Sequence, residues 1–331
     1  MKTKFSLKII ADTNDEFSDF SPYVPSINNG GVISFQAKLK DGSNGIFAYR
    51  NGKIEKVIDS KESELKEFGS HPDVNSNETF CFYAKDPEGF EGVFSCKENG
   101  LITIVSNKKD FSSIGPLGPT MNEKGFVAFR ATLNSGENGI FVGNSESYEL
   151  VAKEPNFAEF YGLPVVNNSG KMLFRADLPN GEKGIFLWQN GTTKTIADTK
   201  KEFQNFGFFP FLNDETVAFV AELKNGDSGV FTVKNGRIEK VIDSTNFESF
   251  RGVLVNQNEN LIFYATPKGG TLGIFCGENP ETDEILSIGK NSFGSVITEF
   301  ALNPVSINDK GQVVVRVKLE SGRQLIVCLS F

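Results

Sequence analysis

One histidine, one tryptophan and no long apolar run are what this 331-residue chain has least of, and each scarcity excludes something. A lone His71 cannot build an HExxH zinc site or a paired-histidine shuttle. No window approaches the roughly 18 apolar residues that a membrane-spanning helix needs. The segment Phe5–Asp12 is split by Lys8 and followed by Asp15 and Glu16, so it does not read as a secretory leader. A cytoplasmic protein is the expectation. Basic residues are outnumbered, 34 Lys and Arg against 42 Asp and Glu for a net charge of −8, which argues against nucleic-acid and anionic-membrane partners. GxSxG, P-loop, GxGxxG and DxDxDG patterns are all missing. Asp41-Gly42 and Asn225-Gly226-Asp227 are better explained as turns than as cation loops. We therefore expect no metal and no cofactor. The four cysteines, Cys81, Cys96, Cys276 and Cys328, lack CxxC spacing and read as free thiols.

What is abundant is phenylalanine, 32 residues beside six tyrosines, and it recurs in register. The run Asn122-Glu123-Lys124-Gly125-Phe126-Val127-Ala128-Phe129 is the clearest copy of a unit whose Asn returns at Asn28, Asn75, Asn167, Asn213, Asn256 and Asn308. The spacings are 47, 47, 45, 46, 43 and 52 residues. Pro25, Pro72, Pro119, Pro164 and Pro210 stand three residues ahead of five of these. A second marker, Gly-(Ile/Val)-Phe, follows at Gly45, Gly92, Gly139, Gly184, Gly229 and Gly273, and has decayed to Gln324-Leu325-Ile326 in the seventh copy. Asn-Gly hairpin turns come next at Asn51, Asn99, Asn190 and Asn235, because both residues tolerate a positive φ.

Each unit reads as four short antiparallel strands, a to d. In the third copy they are a near Pro119–Met121, b at Phe126–Leu133, c at Gly139–Gly143 and d around Glu149–Lys153. Four strands in about 46 residues without a helical period describe one propeller blade. The expectation is a single all-β domain, residues 1–331, built as a seven-bladed propeller of four-stranded blades. The seventh copy, Pro304–Phe331, supplies three strands. Its fourth is expected from the other terminus, residues 5–12, since Ile9-Ile10-Ala11-Asp12-Thr13 matches Thr195-Ile196-Ala197-Asp198-Thr199. Such pairing closes the ring and hides its edges.

The NxxGxxAF spelling of Asn122 to Phe129 resembles the bacterial NxxGxxAF tandem-repeat proteins, and the resemblance tiles essentially the whole chain. Glu78 and Glu259 replace the Gly, Val315 replaces the Phe, and the segment near Thr216 is one residue shorter. The resemblance implies the repeat architecture and no particular chemistry.

Residues that recur are expected to build blades. The repeat Asn suits a turn between strands a and b, and the Phe of strands b and c suit the core. A second pair, Phe17/Phe20, Phe157/Phe160, Phe203/Phe206 and Phe247/Phe250, is expected to fasten the long d-to-a loop onto the blade below. Arg130, Arg175 and Arg316 share one position, and Asp12, Asp59, Asp198 and Asp243 another, so Arg–Asp pairing is expected. The positions that do not recur lie just ahead of strand a, where the d-to-a and b-to-c loops ring the channel mouth. Tyr23, His71, Tyr161, Phe208, Arg251 and Asn303 are the ligand-binding candidates there. His71 suits an acid or base, Arg251 an anion clamp and the tyrosines donors. A monomeric binding or scaffolding propeller, engaging a protein or small molecule on this loop face, is the leading expectation. The alternatives are a biosynthetic enzyme with one asymmetric site at the mouth and a multivalent glycan-binding lectin.

Overall fold

The structure is a computed structural model that describes residues 5–98 and 100–330; Asn99 of the second Asn-Gly turn and the terminal Phe331 lie outside the described residues. Seven antiparallel sheets follow one another around a ring. In the third, the inner strand comes in two pieces, Phe111–Ile114 and Thr120–Met121, both paired with Val127–Leu133. Asn138–Gly143 and Tyr148–Lys153 complete it.

Side chains alternate across each strand, and here both sides are covered by neighbouring blades. Phe129 packs with Cys81, Tyr83 and Val93 of the second blade, while Ala128 packs with Met172 and Phe174 of the fourth. That double burial explains why middle strands read as near-continuous apolar runs. In each of six blades the Phe of strand b stacks on its cross-strand partner in strand c, as with Phe129 on Phe141 at 5.5 Å and Phe219 on Phe231 at 5.6 Å. The Gly of the second marker has a packing cause. At Gly45 and Gly229 a Cβ would stand 2.3 Å from the carbonyl oxygens of Ile58 and Ile242 in strand d.

Most of the second Phe pairs lie in the inner strands and not on a connecting loop, although Phe157 precedes the strand Glu159–Val166 and Phe20 follows the strand Phe17–Asp19. Phe17, Phe203 and Phe247 open the inner strands Phe17–Asp19, Phe203–Phe206 and Phe247–Val255. They pair with Leu39, Leu223 and Pro267 at the far ends of strands b. Phe203 meets Phe219 and Phe231 edge-on, at 5.7 and 5.2 Å. The inner strand runs further outward than its break suggests, so these rings join the blade core.

The repeat Asn does more than turn the chain. Asn122 Oδ1 accepts the N–H groups of Lys124 and Phe126, both at 3.0 Å. Its Nδ2 donates to the backbone oxygen of Asn167 in the next blade at 3.0 Å. The same donation runs from Asn28 to Asn75, Asn75 to Asn122, Asn167 to Asn213, Asn213 to Asn256 and Asn256 to Asn308. Asn308 returns it to Asn28 at 3.0 Å. A closed belt of amide hydrogen bonds thus circles the channel. Where Glu replaces Gly in the turn, the residue still takes a left-handed φ, 56° at Glu78 and 61° at Glu259. Each then pairs with a cation of the preceding blade, Arg50 and Lys234.

The termini share a blade. Ser6–Asp12 lies antiparallel to Gln324–Ser330, outside Gln312–Leu319 and Ser295–Ala301. Asp12 and Arg323 form an ion pair across this seam.

Candidate functional site

The inner strands break at the channel mouth or, in the fourth and sixth blades, shift register there, and that is where one blade reaches the next. Arg316, 2% exposed, donates from Nε to the carbonyl oxygen of Tyr23 at 3.1 Å and from Nη2 to Glu299. Arg175 donates from Nη1 to the carbonyl oxygen of Gly207 at 2.7 Å, and Gln36, at the same repeat position, reaches that of Phe68 at 3.3 Å. The expected pairing with the repeated aspartates does not form. Asp59, Asp198 and Asp243 instead accept N–H groups of the turn after strand d, from Lys61, Lys200 and Thr245. A carbonyl left unpaired at a strand break requires a donor, and the arginines supply it.

Tyr23 and His71 come together above Arg316. His71 Nδ1 accepts the Val24 N–H at 2.8 Å, and the His71 backbone N–H donates to Leu117 O at 3.2 Å. The Tyr23 ring meets the imidazole edge-on at 6.0 Å. Burial, aided by the nearby Arg316 guanidinium, pushes the His71 pKa down to about 4, so the ring is neutral at physiological pH. Burial, with Asp19 nearby, holds the Tyr23 phenol above its usual range.

Tyr161 and Asn303 each have local partners. The Tyr161 oxygen lies 2.7 Å from Glu159 and 3.0 Å from Asp177, and the Arg175 guanidinium covers its ring at 4.2 Å. Burial and the two carboxylates hold this phenol well above its ordinary pKa. Asn303 is buried, its Oδ1 accepting the Val305 N–H at 3.0 Å and its backbone N–H donating to Ser306 Oγ at 3.1 Å.

Phe208 and Arg251 differ from these, because both are exposed. Phe208 keeps 51% of its surface in solvent. They belong to adjoining blades, and the chains touch: a Cβ on Gly207 would lie 3.1 Å from the Arg251 carbonyl oxygen. Phe209 turns inward against Tyr264 at 6.1 Å. Their chain neighbours Gly207 and Phe250, with Asn205, Glu222 and Ser249, line a cleft of about 320 Å³ between the fifth and sixth blades. Sequence reasoning did not single out Tyr264 or Glu299. Tyr264 carried a signal, since it occupies the repeat position of Arg175 and Arg316. Among the described residues no group of three His, Cys, Asp or Glu is placed to hold a metal ion, and no helix is long and apolar enough to cross a membrane.

Several solved structures share this fold. The β-propeller domain of the Trilobed protease from Pyrococcus furiosus, described as having an open velcro topology, superposes with a TM-score of 0.60 at 14% identity, over 92% of this chain and 94% of that one. An oligogalacturonate lyase from Vibrio parahaemolyticus gives 0.60 at 10% identity, over 99% and 97%. An acylaminoacyl peptidase from Pyrococcus horikoshii gives 0.57 at 12% identity, and the match spans 92% of this chain but about half, 52%, of the peptidase. At these identities the likeness is one of fold. No curated protein matches the sequence. One family does, described as "Family of unknown function (DUF7453)", whose pattern fits residues 8–197 and again 119–323.

Proposed function

Since the chain belongs to the family of unknown function DUF7453, whose description names no activity, we infer its function from the loop face itself. We propose a monomeric binding propeller that engages a protein or small-molecule ligand at the channel mouth, over the fifth and sixth blades. The observation that carries this reading is that Phe208 and Arg251, both exposed, stand on adjoining blades next in the chain to Gly207 and Phe250, which line a cleft of about 320 Å³. An aromatic ring and a guanidinium are the side chains that most often anchor a partner, and an exposed ring at a concave rim costs solvation until something covers it. The other mouth residues support a receptor more than a proton-transfer site. His71 is neutral and its Nδ1 is already engaged, while Tyr161 is held by carboxylates. The free thiols of Cys81, Cys96 and Cys328 suit a reducing compartment such as the cytoplasm.

The test is retention. Pure protein is incubated with extract from its own organism, and what it keeps is identified by mass spectrometry, beside a Phe208→Ala/Arg251→Ala variant of unchanged thermal stability. A compound or protein retained by the parent and lost by the variant supports the reading. Equal retention by both contradicts it, and consumption of a metabolite with release of a new product makes the protein an enzyme instead.

A further inference from the structure

On the opposite face, where the Asn belt lies, the third and fourth blades part around a cavity of about 510 Å³, within the range that holds a small ligand. Two aromatic rings line it from opposite sides. Phe126 comes from the third blade and is 41% exposed, and Trp188 comes from the fourth and is buried except toward the opening. The pairing is specific to this junction. The position of Phe126 is held elsewhere by Val32, Thr79, Lys171, Thr216, Asn260 and Gln312. That of Trp188 is held by Tyr49, Cys96, Gly143, Val233, Gly277 and Leu329. No other junction sets two aromatic residues at these two places.

The polar groups of the cavity fall into two sets. Asn122, Asn168 and Ser169 have their side chains committed, to Asn167, Asp214 and Asn167 respectively. Lys124, Ser147, Glu149 and Asn190 also line the cavity. Their side chains make no hydrogen bond or ion pair among the described residues. A carboxylate acceptor, an ammonium donor, a hydroxyl and a primary amide therefore stand free around an aromatic floor.

We propose that this cavity binds one pyranose residue of a glycan. A pyranose is the ligand whose two surfaces match the two surfaces here. Its C–H face lies on an aromatic ring, and its edge of hydroxyls needs both acceptors and donors in a small space. A purely anionic ligand would meet Glu149, and a purely apolar one would strip water from four polar groups without replacing it. The site is single, as the aromatic pairing is single, and it lies on the face opposite Phe208 and Arg251.

The chain's one tryptophan lines this cavity, so its emission has a single source there. The methyl pyranosides of glucose, galactose, mannose, N-acetylglucosamine and fucose are titrated while Trp188 emission is read. At least one is expected to give a saturable change with one site per chain. Phe126→Ala removes the exposed platform but leaves the reporter, and is expected to abolish the response. Glu149→Gln is expected to weaken binding roughly tenfold by removing a charged acceptor. Both replace side chains that reach solvent, and a thermal melt confirms that each variant folds. Phe208→Ala/Arg251→Ala is expected to leave the titration unchanged, which separates this site from the loop-face reading. Absence of any emission change across the panel overturns the proposal, as does a response that survives Phe126→Ala.

Discussion

Asp73 and His71 stand two residues apart and act on stability in opposite directions. Asp73 is buried in the inner strand of the second blade, where its carboxylate accepts the N–H groups of Met121 and Val74, each at 2.8 Å. Burial, reinforced by Glu123, nevertheless raises its pKa to about 7. In the unfolded chain it loses its proton near pH 4. From about pH 4 to 7 the folded form holds a proton that the unfolded form has lost, so this residue makes stability fall as pH rises. His71 does the reverse. Its folded pKa of about 4 lies below the ordinary 6.5, so its contribution is complete above pH 6.5 and is lost as pH falls toward 4. Thermal melts from pH 4 to 8 are expected to show Asp73→Asn gaining stability as pH rises from 4 to 6.5. His71→Asn, whose Oδ1 can still accept the Val24 N–H, is expected to lose stability as pH rises over the same window. Profiles parallel to the parent's in both variants would contradict these environments. The sequence showed a lone histidine before a proline, which made His71 a candidate acid or base. It showed nothing of the burial, because the atoms that surround His71 and Asp73 belong to other blades. Val24, which donates to His71, is 47 residues away in the chain.

The strand and turn pattern was the most legible level. Gly-(Ile/Val)-Phe, the Asn-Gly turns and the repeat Asn lie within single units, so one unit suffices to read them. What escaped was the outward half of strand a. Its pairing with strand b shifts register, as between Phe203 and Asn205, and a short interrupted strand has no period of its own. That is why Phe203 read as part of a loop while it is buried among Phe206, Phe219 and Phe231. Phe203→Ala is expected to cost about 3–5 kcal/mol in chemical denaturation, and a cost under about 0.5 kcal/mol would return the ring to the loop. The Asn belt makes a parallel prediction. Asn122→Ala removes the bond to Asn167 and two turn acceptors, each with a net value of about 1 kcal/mol. A loss of roughly 2–3 kcal/mol is expected, whereas the neighbouring Lys124→Ala should stay within about 0.5 kcal/mol. Equal effects at the two positions would mean that the belt contributes nothing.

Ring closure is a property of the whole chain, and it was readable because the two ends each carry part of one unit. The likeness of Ile9–Thr13 to Thr195–Thr199 placed residues 5–12 beside the last strand, and Ser6–Asp12 pairs with Gln324–Ser330. The channel-mouth candidates were legible only as positions that do not recur. Whether such a side chain faces solvent, as Phe208 and Arg251 do, or holds two blades together, as His71 and Asn303 do, is decided by neighbours some 40 residues or more away in sequence or by the local break in strand a. The account as a whole rests on a ring fastened at one non-covalent seam, with Ile10 and Ala11 buried against Ile326 and Cys328 and Asp12 paired with Arg323. The measurement that tests it most directly is the thermal unfolding of a chain lacking residues 1–12. The strand's buried side chains and ladder are worth several kcal/mol, and the midpoint is expected to fall by on the order of 10 °C. Partial recovery is expected when a peptide of residues 5–13 is added in trans. A midpoint equal to that of the full chain would contradict a ring closed by its own N-terminus.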